Sequence, residues 1–417
     1  MNALLILPFA IILLCIGIAP LTIKPWWERN YPYVVISLAL ATAVYYLIAE
    51  GSVDRMAHAL HDYACFIIFP TALFCVSGGI YISLSNFSTP TRNIILLVIG
   101  IVLTNFLGVT GTSLLLIRPF LRTNKYRLRA FHIILFIFII GNTGGMLTPI
   151  GEAPLFMGYI KGVPFFWSLV HLWQPWIAIN SVLLGLFYIL DVRAYNRLDN
   201  EARAKVEVKP EKLAVAGLHN LIFLAVVIAA VFIQQPIFLR EAILLAMAAA
   251  SYFTTSKTIH RNNQFSFRPM KEVAILFFGI FITMAPALQW IEMNAATMNL
   301  HSPGQYFWIT GVASSILDNA PAYISFLAAA LGTYGMHIND AGNIAAFIAQ
   351  HGQYLTAISL GAVIFGAATP IGNSSNFMIL ALVEHDGASV PNFGRYIAKY
   401  ALPILLPVLA LVYWWFI

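Results

Sequence analysis

Two carboxylic acids stand where this sequence has almost no other charge. Glu152 directly follows Thr148-Pro149-Ile150-Gly151 in the run GNTGGMLTPIGEAPLFMG, and Asp318 opens the pair Asp318-Asn319 in SSILDNAPAY. An acid at the centre of a membrane helix costs about 2.5–3.5 kcal/mol on insertion scales, so its presence there points to ion or proton handling. The tetrapeptide recurs as Thr369-Pro370-Ile371-Gly372 in IFGAATPIGNSSNFMI, this time followed by neutral Asn373. Pro149, Pro370 and Pro321 lack a backbone donor, and Gly144, Gly145, Gly151 and Gly372 permit unusual backbone paths, so helices are expected to break here. Carbonyls freed by unwinding hold small cations, and the N-termini of the broken pieces favour anions. Thr148, Thr369, Asn373, Ser374 and Asn376 add short polar side chains beside the breaks, and TNFLGVTGTS supplies Thr104, Asn105, Thr110, Thr112 and Ser113. Sodium requires several oxygens at close range. Asp318, Asn319 and Asn105 form the expected core of such a set. Any one of these hydroxyls could equally be a packing contact, because membrane helices use small polar residues in that way. The repetition is the stronger signal.

The elements that must position these residues are membrane helices. Of 417 residues, 60% are hydrophobic and 10% charged, against about a quarter charged in soluble proteins. Apolar spans are expected at 3–22, 31–49, 63–84, 130–160, 166–190, 213–234, 238–255, 272–290, 342–383 and 397–416. The spans 130–160 and 342–383 each contain the tetrapeptide and are too long for one uniform helix. Stretches 93–117 and 303–331, interrupted by small and polar residues, read as re-entrant hairpins that return to their starting side. With both termini outside, this drawing places all but Arg55, Lys161 and Arg240 of the 23 basic residues in cytoplasmic loops, as the positive-inside rule requires. The halves then run in opposite directions, an arrangement that recurs in secondary transporters with the site at the repeat interface. The expected fold is therefore an all-α polytopic membrane protein with two inverted-topology repeats, re-entrant hairpins and discontinuous helices. The divisions are N-terminal helices 1–60, a first repeat 61–190, a cytoplasmic linker 191–212, scaffold helices 213–271 and a second repeat 272–417.

Other motifs carry less. His58, His61 and Asp62 have spacing that suits a metal on a helix, yet they sit at a loop edge and read as interfacial structure. GVTGTS lacks the lysine and strand context of a phosphate loop. The three cysteines show no ligand spacing. No hydrolytic triad or nucleotide site is present, and the formal charge of +6 has no basic groove to go with it. Neither an enzyme nor a nucleic-acid partner is expected, and no cofactor beyond a transported or coupling sodium ion. Membrane lipid surrounds the chain. The leading stretch MNALLILPFAIILLCIGIAP, without a basic start or small-residue cleavage site, reads as a retained first helix.

LDNAPA at 317–322, GGMLTPIGEAP at 144–154 and GAATPIGNSSN at 366–376 resemble the ion transporter superfamily. They are most similar to NhaD-type sodium/proton antiporters and to citrate-transporter-like proteins. The resemblance covers roughly residues 60–417. It implies a hairpin and a discontinuous helix from each repeat, an elevator-like motion, a homodimer in the bacterial inner membrane, and Asn105 and Asn319 as matching asparagines near the two hairpin tips. The leading expectation is sodium/proton exchange at Asp318 and Glu152, since burial raises a carboxylate's pKa and a bound cation lowers it. The alternative is a sodium- or proton-coupled carrier of citrate or another dicarboxylate; another ion or an arsenite-like substrate also remains open.

Overall fold

A computed structural model describes residues 3–83, 88–198, 214–233, 235–236 and 238–417. Among them, six helices are long and apolar enough to cross a membrane: Lys24–Glu50, Val53–Gly78, Pro90–Thr123, Trp167–Asn196, Arg268–Met298 and Phe393–Phe416. Their outer faces are apolar. Ile36, Leu40, Val44 and Leu47 of one helix, and Val170, Trp173 and Ile177 of another, are all more than a third exposed. In water such faces would drive aggregation, whereas lipid solvates them. The protein is a multi-spanning, all-α membrane protein. The helix Ala130–Ile139 lies at the opposite extreme. From Ile133 to Ile140 no side chain is more than 1% exposed, the pattern of a helix that is apolar all round because protein surrounds it.

The helices expected to be interrupted are interrupted. Pro90–Thr123 turns at Gly108, whose φ of 70° and ψ of 162° favour glycine. A continuous helix would hold Asn93 and Asn124 about 46 Å apart. Instead their side chains exchange hydrogen bonds of 2.8 and 3.0 Å, so the chain doubles back on itself. The second hairpin consists of Pro303–Ile316 and Asn319–Thr333. Its open end is closed by Tyr306 Oη and Thr333 Oγ1 at 3.3 Å. After Ile139 the first broken segment passes through a 3-10 turn, Thr143–Gly145, before resuming as Ala153–Ile160. The second runs Ala341–Gly366 and resumes as Ser374–His385.

Two buried polar clusters tie the loops together at opposite ends of the hairpins. At the base of the first hairpin, Arg127 donates two hydrogen bonds to the Asp191 carboxylate, which also accepts from Asn93 at 2.8 Å and meets His132 Nε2 at 2.9 Å. Nearby, Arg118 donates to Asn263 O at 2.5 Å and Gln264 Oε1 at 3.0 Å. Beside the base of the second hairpin, Arg55 pairs with Glu292 at 3.3 Å, and Glu292 accepts from Ile338 N at 2.9 Å.

Several boundaries differ from the sequence expectation, among them the end of span 63–84, where helix Val53–Gly78 stops short and Tyr81–Ser83 is a strand. Residues Ala214–Ala216, expected to begin a helix, form a strand antiparallel to Tyr81–Ser83; the helix starts only at Asn220. Asn220 explains the delay, because its amide donates to Gly79 O at 2.9 Å and so docks this turn against the preceding loop. The linker expected at 191–212 begins later, since helix Trp167–Asn196 continues through Asp191, which is buried by its ion pairs. Residues 199–213 lie outside the described residues.

Candidate functional site

The two breaks are built by the same bonds. Thr148 Oγ1 donates to Asn105 O of the first hairpin at 2.8 Å and accepts from Gly151 N at 3.1 Å. Thr369 Oγ1 donates to Ser315 O of the second hairpin at 2.6 Å and accepts from Gly372 N at 3.0 Å. Each threonine therefore anchors its break to the hairpin of its own half and closes the turn with the glycine three residues on. That glycine lies against another six residues earlier. A Cβ on Gly151 would sit 1.9 Å from Gly145 O, and one on Gly372 would sit 2.7 Å from Gly366 O. The repeated unit is thus seven residues, Gly-x-x-Thr-Pro-Ile-Gly, and it fixes a path on which two backbones touch. Gly366 was missed in the sequence reading, although its spacing from Gly372 equals that of Gly145 from Gly151.

The hairpin tips close the ring. Val109 N, just past the first turn, donates to Gly151 O at 3.0 Å, and Thr110 Oγ1 meets Ser375 Oγ at 3.2 Å. From the second hairpin, Asn319 Nδ2 reaches Glu152 Oε2 at 3.4 Å, and Asp318 Oδ2 accepts from Ser374 N at 3.1 Å. Each tip therefore touches both breaks. The breaks also join each other. Asn373 Nδ2 donates to Gly141 O at 3.1 Å and to Asn142 Oδ1 at 3.0 Å, while Asn142 Nδ2 donates to Asn376 Oδ1 at 2.8 Å. Asn376 itself donates to Gly366 O and Thr369 O. Asn142 was not among the expected site residues. A lone asparagine inside FIFIIGNTGG was the available signal.

The two acids sit in different surroundings. Asp318 caps two helices, accepting from Ala320 N at 3.2 Å through Oδ1 and from Ser374 N through Oδ2. Glu152, 1% exposed, precedes Ala153–Ile160 without capping it, and its Oε1 finds no protein donor. Asn319 Oδ1 and the hydroxyls of Thr112 and Ser113 are likewise buried without a partner. Thr104 is occupied within its own helix, donating to Gly100 O at 2.7 Å. Asn105 lies near the first hairpin tip. It comes three residues before the turn and binds the first break, donating to Gly144 O at 2.8 Å and accepting from Leu147 N at 3.0 Å. By its bond to the threonine of the tetrapeptide, the residue that corresponds to Asn105 is Ser315 rather than Asn319.

Four helices begin at this ring, at Val109 beyond the Gly108 turn, at Ala153, at Asn319 and at Ser374, and their first turns carry the amide-rich, positive ends of helix dipoles. A cavity of about 80 Å³ adjoins them, lined by Thr110, Gly151, Glu152, Asn373, Ser374 and Ser375. Its other wall is apolar, formed by Phe66, Phe69 and Leu73 of helix Val53–Gly78 and by Met270 and Phe277 at the start of Arg268–Asn294. His58, His61 and Asp62 lie elsewhere, on the border of a separate cavity. No group of three or more His, Cys, Asp or Glu suited to a metal occurs among the described residues.

An embedded ring of broken helices and hairpin tips is the arrangement of a membrane carrier. Over residues 1–417 the chain matches the family described as "Putative citrate transport", and it belongs to that family. It is 25% identical over 355 residues to a 46 kDa membrane protein of Mycobacterium leprae, covering 81% of this chain and 80% of the relative. It is also 24% identical over 442 aligned residues to uncharacterized transporters of Mycobacterium bovis and Mycobacterium tuberculosis, covering 91% of this chain and 98% of each. The protein is a membrane-embedded secondary transporter.

Proposed function

We propose that this protein carries citrate or a similar di- or tricarboxylate across the membrane, coupled to protons or sodium. The observation that carries the reading is the meeting of three helix starts, at Val109, Ala153 and Ser374, on one small cavity that Glu152 also lines. Backbone amides at helix starts bind carboxylates without adding a mobile counter-charge, and family membership points to the same substrate class. Asp318 does not contradict an anionic substrate, since two backbone amides already hold its carboxylate. Glu152 does face the cavity. A carboxylate substrate beside it requires that its charge be neutralised, and this requirement is the physical basis of cation coupling. Thr110, Asn373, Ser374 and Ser375 supply the polar contacts that orient the substrate, and Asn319 acts through Glu152.

The inverted-repeat arrangement is part of this reading. It is supported by the matching bonds of the two breaks and by the loop contacts. Arg118 reaches Asn263 and Gln264, loops that the charge pattern puts on the cytoplasmic side, and Arg55 reaches Glu292, both placed outside.

Purified protein in sealed liposomes tests the substrate. Labelled citrate should accumulate against its gradient when an inward proton or sodium gradient is imposed. If sodium instead dissipates a proton gradient with no organic substrate present, and no carboxylate moves, sodium/proton exchange at Asp318 and Glu152 replaces this reading.

A further inference from the structure

A second cavity, about 550 Å³, lies on the face that carries the only basic residues outside the cytoplasmic loops of the charge drawing. All three of those residues are paired with acids: Arg55 with Glu292, Lys161 with Asp62, and Arg240 with Glu241. Lys161 and Arg240 line the cavity together with Asp62, Glu241, His61 and Asn339. Lys161 follows directly on helix Ala153–Ile160, the piece that Glu152 precedes. Its Nζ bonds Asp62 of helix Val53–Gly78 and also Asn339 Oδ1, at 2.6 Å, in the loop leading to the second broken segment. One ammonium group thus fastens both broken segments to the helix that walls the central cavity. Its side chain and that of Asp62 are 7% and 9% exposed.

The geometry points to a carboxylate-binding vestibule here, in which an incoming di- or tricarboxylate takes Asp62's place on Lys161. The exchange is chemically conservative. One carboxylate replaces another, so Lys161 stays paired and the ligand does not bear the several kcal/mol, in order of magnitude, of leaving a buried charge alone. His61 Nδ1 lies 3.7 Å from Asp62 Oδ1, so protonation of His61 on exchange keeps the displaced acid paired. Arg240 offers a further cation to the other end of a ligand with two or three carboxylates. Transfer of Lys161 to the ligand releases helix Val53–Gly78 from the loop at Asn339, so binding on this face favours the state in which the fastening is open. A ligand shifts such an equilibrium only through unequal affinity for the two states, and Lys161 supplies the inequality.

This inference rests on the carboxylate-carrier reading for its substrate class, and the test separates the two. In oriented vesicles supplied with citrate on this face, Lys161→Met should raise KM at least several-fold. Asp62→Asn should lower it, because the internal competitor is gone. A merely structural ion pair predicts that both variants lose activity alike, and that result overturns the vestibule. Lys161→Arg keeps the charge and should keep KM near wild type even if Lys161→Met fails to assemble. Independently of transport, citrate should slow modification of wild-type Lys161 by a membrane-impermeant amine reagent, read by mass spectrometry, whereas an uncharged polyol should not. Protection without transport removes the carrier reading and leaves the vestibule; absence of protection removes the vestibule.

Discussion

The first break and the second share a seven-residue pattern and the same two kinds of bond, yet they end differently. Beyond Gly151 stands Glu152, with one oxygen unpartnered and the other 3.4 Å from Asn319. Beyond Gly372 stands Asn373, whose amide donates to the first break and whose oxygen caps its own helix through Ser375 N at 2.9 Å. The shared part is architecture: it bends the backbone and anchors the bend to a hairpin. The position that differs separates a neutral, fully bonded joint from an acid facing a cavity. Equal scaffolds with unequal ends give a site that can change charge on one side only. Substitutions at matching positions test whether this division is real.

The largest effect is expected from Gly151→Ala, where a Cβ would fall 1.9 Å from Gly145 O; Gly372→Ala places it 2.7 Å from Gly366 O and 2.8 Å from Ser314 O. Backbone cannot yield as a flexible side chain does. Gly151→Ala should therefore cost well over the about 1–3 kcal/mol typical of overpacking, and Gly372→Ala should stay within that range. Thermal unfolding of purified protein measures both. Equal losses would mean that the two close approaches are equally deformable.

Asp318→Asn comes next. The variant keeps the size of the side chain but replaces a carboxylate that two backbone amides bind, and hydrogen bonds to charged groups contribute about 1.5–3 kcal/mol. Assembly should survive, while substrate transport at matched protein should fall about tenfold or more, the equivalent of 1.4 kcal/mol. Wild-type transport in this variant would show that the cap on Ser374 N is dispensable and that the second break holds its helix start unaided.

Asn373→Asp makes the second break resemble the first. The new carboxylate cannot donate, so Gly141 O and Asn142 Oδ1 both lose a partner. Unsatisfied buried groups cost about 1–3 kcal/mol, so melting should shift downward and transport should weaken. If Asn373→Asp instead transports as well as wild type, the acid is not confined to one side by the joint between the breaks.

Much of this was legible in the sequence, and the reasons it was not all legible are physical. Long apolar runs fix helices because nothing else spans lipid, and proline with glycine marks the breaks because both defeat the helical ladder. Glu152 and Asp318 stood out by cost alone. Partners were not legible. Asp191 reads as the first residue of a polar loop until Arg127 and His132, some sixty positions earlier, are seen to bury it. Asn105 and Asn319 look alike beside their hairpin turns, but one precedes its turn and binds backbone while the other follows its turn and meets an acid. The seven-residue repeat has five identical letters, and the leading glycine is separated from the contiguous four by two unmatched positions, which hides it.

The smallest effect, and the closest test of equivalence, comes from the two threonines. Thr148→Val and Thr369→Val preserve shape and delete one hydroxyl that donates to a hairpin carbonyl and accepts from a glycine amide. Hydrogen bonds of this kind contribute about 0.5–1.5 kcal/mol each, so either variant should lower stability by about 1–3 kcal/mol over the two bonds they share, Thr369 also accepting a longer one from Ile371 N at 3.3 Å. Because both hydroxyls do the same work, the losses should agree, and serine at either position should restore most of the stability. Transport should follow stability rather than fall independently, since neither hydroxyl is free to hold a ligand. A Thr148→Val protein that keeps its melting temperature but stops transporting would break the comparison. It would place Thr148 among the groups that contact substrate and leave Thr369 alone as the structural member of the pair.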